Sequence, residues 1–177
     1  MGPRPKKSSL CPDGSSMSLL NRRFLIALPL LVLAACGFQP VYGPSGTGTA
    51  LQNAVQVDAP SDAYSYTLVR EIETRLGRAA SPRYALALTV DTSEEGLAID
   101  SEDNTTRYNL VGKVDFALRN LSSGQIEVSG NVENFTGYSA TGSTVATLAA
   151  ERDAQKRLMV MLADQLVTRL YAADLTP

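Results

Sequence analysis

The sequence predicts an α/β fold: a two-layer sandwich, with a mixed four-stranded sheet carrying two helices on one face in the order β-α-β-β-β-α. Three observations predict it. Apolar residues recur at helical spacing in two stretches, over 64–76 and 145–170. Between them lie runs that alternate apolar and polar with period two. A helix joins the first strand to the second, whereas only short links join the last three.

The first strand is expected over Leu51–Val57, where Leu51, Asn53, Val55 and Val57 share a side and Ala59-Pro60 closes the run. Ser61 is placed to cap the next helix, with acidic Asp62 in its first turn. Tyr64, Leu68, Ile72 and Leu76 then recur every fourth residue with Val69 beside them, an amphipathic helix of about four turns. Glu71 and Arg75 form an (i, i+4) pair on its surface, and Gly77 and Pro82 stop it.

From Arg83 the period becomes two. Tyr84, Leu86, Leu88 and Val90 face one way, and the pattern weakens through Thr92–Gly96 before Leu97 and Ile99 resume it. That reads as a long strand bulged near Gly96. The third strand spans Thr106–Arg119, with Tyr108, Leu110, Val114, Phe116 and Leu118 on its apolar face. Asn120–Gly124 is a turn by composition. The fourth strand, Gln125 to about Tyr138, places Ile126, Val128 and Val132 inward and ends polar. After Gly142 a long helix opens with Val145, Leu148 and Ala149, continues through Leu158, Leu162, Leu166 and Leu170 with Met161 flanking, and exposes Glu151–Arg157 in its middle.

The helical link makes the first two strands parallel by a right-handed crossover, and the last three form an antiparallel meander. Each strand has one apolar face, so both helices cover the same side of the sheet. The other side is polar and meets water or a partner. No internal repeat is visible.

Ahead of this domain the sequence carries a leader pattern. Arg22 and Arg23 precede an apolar run of twelve residues, Phe24–Ala35. A membrane-spanning helix needs about 20, so the run fits an export signal of residues 1–35. Met17 gives that signal an ordinary basic region, which leaves residues 1–16, with Cys11, upstream of the start. Leu33-Ala34-Ala35-Cys36 resembles a bacterial lipobox, in which the cysteine thiol takes a diacylglycerol and the new N-terminus an acyl chain. Several chains at roughly 0.8 kcal/mol per buried CH₂ hold a protein on a bilayer. Gly37 in place of Asp after the cysteine favours the outer membrane. Residues 36–50 are then a lipidated N-terminus and tether, its PSGTGTA segment flexible by composition, and residues 51–177 are one α/β domain.

Five of the 16 basic residues and one of the 18 acidic residues precede Cys36, leaving 11 against 17 and a net charge of −6 on residues 36–177. That charge disfavours nucleic acid as a partner. No histidine occurs, and no cysteine follows Cys36. Ser–His triads, His metal sites, thiol catalysis and intramolecular disulfides are thereby excluded from the mature chain, and no catalytic residue is assigned. Glu94, Glu95, Asp100, Glu102 and Asp103 lack the ligand order of a calcium loop and read as a solvated acidic segment. No metal and no cofactor besides the lipid on Cys36 is expected.

The stretch LAACGFQPVYG, residues 33–43, resembles the mature start of the lipopolysaccharide-assembly lipoprotein family, LptE. The resemblance implies a sheet backed by two helices and a non-enzymatic role in the outer membrane. It implies a plug inside the β-barrel LptD, helping that barrel assemble and helping lipopolysaccharide reach the outer leaflet. The alternative is an accessory or structural lipoprotein of another envelope or transport complex. Lipopolysaccharide is polyanionic, so Arg and Lys are its natural contacts. Arg107, Lys113 and Arg119 share the outward face of the third strand, six residues apart. At about 3.3 Å per residue, neighbours stand roughly 20 Å apart. The spacing allows a ladder along a path, not one pocket; an ordinary solvated face is the plainer reading.

Overall fold

The computed structural model describes Gly2 and residues 41–43, 46–99, 101, 104–173 and 175. The chain divides into two compact units, residues 1–39 and 40–177, and the architecture is that of the second. Its elements run α1 (Thr47–Leu51), β1 (Val55–Val57), α2 (Ala63–Leu76), β2 (Tyr84–Ile99), β3 (Thr105–Asn120), β4 (Ile126–Ser139) and α3 (Thr144–Tyr171). The sheet order is β1-β2-β3-β4, with β1 parallel to β2 and the remaining pairs antiparallel. This is the mixed, four-stranded α/β sandwich read from the alternation, with one short helix added at its start.

That added helix changes the expected start of the domain. Leu51, read as the first strand residue, is the fully buried last residue of α1. Asn53 then takes a left-handed turn at φ 54°, so the strand shrinks to Val55–Val57. The last four residues of the expected tether, Thr47–Ala50, are ordered in the same helix, with Gly48 buried within it.

The cap of α2 is Asp62, one residue later than Ser61. Its carboxylate accepts from the Ser65 backbone N–H at 2.8 Å, while the Ser65 hydroxyl accepts from the Asp62 N–H at 2.9 Å. Two otherwise unpaired donors are thereby satisfied. Gly77 closes the helix, its N–H donating to Glu73 O. Leu68, Ile72 and Leu76 of α2 meet Leu86, Val114 and Leu118 of the sheet and Leu158, Leu162, Leu166 and Leu170 of α3 in one core. Gly112 on β3 is what lets α3 approach: a Cβ there would lie 2.9 Å from Leu158 and 3.0 Å from Leu162. At the seam between the helices, Arg75 donates to Asp164 at 2.6 Å and to Glu71 at 3.1 Å.

Two expectations about facing are corrected. Ile126 points away from the core and is 57% exposed. The register shifts between Leu118 and Arg119, so that Leu118 pairs with Val128 but Arg119 pairs with Ile126. Glu127 is the extra residue of a β-bulge, and inserting one residue turns its neighbour to the opposite face. Val145, Leu148 and Ala149, expected to open the buried side of α3, are exposed; the buried stripe of that helix begins at Ala154. On β2, register shifts fall between Gly96, Ala98 and Ile99, where the sequence placed a bulge.

Candidate functional site

Alternation along β3 sends its even-numbered residues, from Leu110 to Leu118, toward the helices and its odd-numbered residues outward. Arg107, Lys113 and Arg119 all lie on that outward face, and all three are exposed. Their surroundings differ. Lys113 pairs in register with Asp91 on β2 and Glu133 on β4, and its ammonium lies 3.1 Å from the Asp115 carboxylate. Three acidic residues therefore neighbour one lysine, and one of them is ion-paired with it. Arg107 stands between Ala98 and Ser139, and Arg119 between Ala85 and Ile126. Among the described residues neither arginine has an ion-pair partner.

The three cations thus remain separate, as a strand spacing of six requires, and the central one is ion-paired with Asp115. Arg119 and Asp58 line a small cavity of about 100 Å³ together with Ala85, Ala87 and Ala117. Between Arg107 and Lys113 the outward face carries an apolar spot. Val111 pairs with Phe135 of β4, whose ring is 63% exposed. Sequence reading missed Phe135, because the end of β4 looked uniformly polar. Its register opposite Val111 is the signal that picks it out.

A larger groove of about 590 Å³ runs along the free edge of β4, between Asn131 and Glu133 on that strand and Gln165, Thr168 and Arg169 on α3. On the helix side of the sheet, Tyr108 and Tyr138 stack with ring centroids 5.3 Å apart. The Tyr138 hydroxyl donates to Glu94 at 2.6 Å. Burial, and then this bond to a carboxylate, push the Tyr138 phenol well above its usual range. Among the described residues no group of three or more His, Cys, Asp or Glu side chains could hold a metal. No helix among them is long and apolar enough to cross a membrane. Cys36, Asp100, Glu102 and Asp103 lie outside the described residues.

The LptE family model, described as lipopolysaccharide-assembly, matches residues 52–170, which takes in every element from β1 to α3. The chain belongs to the LptE family. It is accordingly a lipopolysaccharide-assembly lipoprotein of the outer membrane, with no enzymatic activity. The fold is similar to several solved structures. A protein described as a lipoprotein from Caulobacter crescentus CB15 is 23% identical, with a TM-score of 0.60, over 72% of this chain and 93% of that one. The rare lipoprotein B of Shewanella oneidensis is 14% identical, with a TM-score of 0.51, over 65% of this chain and 89% of that one. Lipoprotein B of Nitrosomonas europaea is 15% identical, with a TM-score of 0.52, over 67% and 82%. At these identities the likeness speaks for the fold. No curated protein matches the chain.

Proposed function

We propose that this LptE-family chain is held at the outer membrane by a diacylglycerol and an N-acyl chain on Cys36 and plugs the lumen of the β-barrel LptD. There it assists assembly of the barrel and helps insert lipopolysaccharide into the outer leaflet. The family match over residues 52–170 carries this reading. The polar outward face of the sheet supports it, because the lumen of an outer-membrane barrel is polar and wet. The lipid anchor raises the effective concentration of the plug beside its barrel. Arg107 and Arg119, with no ion-pair partner among the described residues, are the stronger contacts for lipopolysaccharide phosphate. Lys113 is the weaker one, because an incoming phosphate competes with Asp91, Asp115 and Glu133 for it.

Affinity purification of the tagged protein from solubilised outer membranes tests the central claim. LptD is expected to co-purify at near-equal amounts; recovery without any large barrel protein overturns the plug. Cys36→Ala is expected to abolish incorporation of labelled fatty acid, and continued labelling removes the anchor from Cys36. Charge reversal at Arg107 and Arg119 is expected to weaken lipopolysaccharide binding more than reversal at Lys113. Equal losses at all three positions overturn the ranking.

A further inference from the structure

At one end of the domain a strap is fastened to the C-terminus of α3. The Tyr42 hydroxyl donates to the Tyr171 hydroxyl at 3.2 Å, with the rings edge-on at 5.8 Å. The Thr47 hydroxyl donates to Ala173 O at 3.1 Å, and the Gly48 N–H to Val41 O at 3.0 Å. Gly48 allows this closure, because a Cβ there would stand 2.8 Å from the Val41 side chain and 2.9 Å from its carbonyl oxygen. Arg83, just before β2, donates to Ala50 O and ties the strap to the sheet.

This end is unlike an ordinary solvated surface. Val41, Tyr42, Leu121 and Ile126 are all large apolar residues exposed there. Two exposed arginines stand among them. The Leu121 N–H donates to Arg83 O at 2.9 Å, and Ile126 is the cross-strand neighbour of Arg119. The bulge at Glu127 is what turns Ile126 to the side of Arg119. Arg83 and Arg119 have no ion-pair partner among the described residues. Aliphatic and aromatic side chains interleaved with cations are the composition of a bilayer interface, where apolar groups enter the headgroup layer and cations meet lipid phosphate.

We infer that this end of the domain is a docking surface for an anionic phospholipid bilayer, with Tyr42, Leu121 and Ile126 entering the interface and Arg83 and Arg119 meeting phosphates. Chain length selects the bilayer as occupant. Four residues, Gly37–Pro40, separate Cys36 from Val41, and a fully extended chain covers at most about 18 Å over those five steps. A lipid on Cys36 therefore brings this surface to the headgroups, and the inference rests on that reading of Cys36. The 28 residues of α3, at about 1.5 Å each, then carry the far end of the domain roughly 40 Å away.

The chain contains no tryptophan, so single tryptophans report their surroundings without background. Leu121→Trp, Ile126→Trp and, as the distant probe, Ile99→Trp are made in the full, processed lipoprotein and floated with vesicles of phosphatidylglycerol and brominated phosphatidylcholine. Emission at 121 and 126 is expected to be quenched and that at 99 to be unaffected. Arg119→Glu is expected to lower the docked fraction read at 121 by about fivefold or more, the factor carried by one cation near an anionic surface. Flotation without quenching at 121 and 126, or with equal quenching at 99, overturns the docking surface and leaves the anchor standing. Failure to float at all overturns both. An Arg119→Glu variant that docks unchanged removes the arginine from the surface.

Discussion

The Tyr138 hydroxyl and the Glu94 carboxylate lie 2.6 Å apart, joining β4 to β2 across the strand between them. A phenol that donates to a carboxylate while partly buried resists ionisation. Burial also pushes the pKa of Tyr171 up, to about 12. In the unfolded chain both phenols titrate near 10. Above that pH the unfolded state releases protons that the folded state retains, so stability falls as pH rises from about 10 through 12. Denaturant melts at stepped alkaline pH are expected to show this decline, and the double variant Tyr138→Phe/Tyr171→Phe is expected to flatten it.

Asp62 makes the opposite prediction at acid pH. Its carboxyl is held below the usual range, chiefly by the backbone N–H of Ser65. The contribution is complete above the unfolded value near 3.8 and is lost as pH falls through the lower folded value. Asp62→Ala is expected to cost about 1 kcal/mol near neutrality. The difference from the parent chain should shrink toward pH 2. Thermal denaturation across that range checks both parts.

Gly112→Val should disturb the contact between α3 and β3. Even a Cβ would press on Leu158 and Leu162, and valine adds two methyls to that contact. Overpacking of this kind costs about 1–3 kcal/mol. A lowered unfolding midpoint is expected, together with shifted methyl resonances confined to those leucines.

The seam between the helices separates packing from charge. Leu162→Ala is expected to cost about 2–5 kcal/mol, because the side chain is fully buried and its removal leaves a cavity. Asp164→Ala breaks the 2.6 Å bond from Arg75 yet should cost less than about 1 kcal/mol, since Asp164 is mostly solvated and Arg75 keeps Glu71. Chemical denaturation of the two variants gives the comparison directly.

Which features the sequence disclosed depended on whether they were repetitive. Helix α2 and strands β2 to β4 were legible because Leu68, Ile72 and Leu76, or Leu110, Val114 and Leu118, repeat at one period and bury as one face. Helix α1 was not legible. Its five residues are too few to show a period, and its order comes from Val41, Tyr42 and Ala173 rather than from its own composition. The reversed facing of Ile126 was hidden because one inserted residue, Glu127, breaks the alternation without changing the apolar character of its flanks. At the outward face, exposure of Arg107, Lys113 and Arg119 followed from parity alone. The acidic residues neighbouring Lys113 depend on strand register, which two hairpins and a bulge determine together.

β1 pairs with β2 only from Tyr84 to Leu86, so the rim of β2 beyond it runs on without a neighbouring strand. Left bare, such a rim is a template on which other copies could stack into fibrils. Asp91 and Glu95, both exposed, place like charge beside it, and the pairing becomes irregular after Gly96. The polypeptide thus carries its own guard against self-stacking during the interval before it is installed in an assembly.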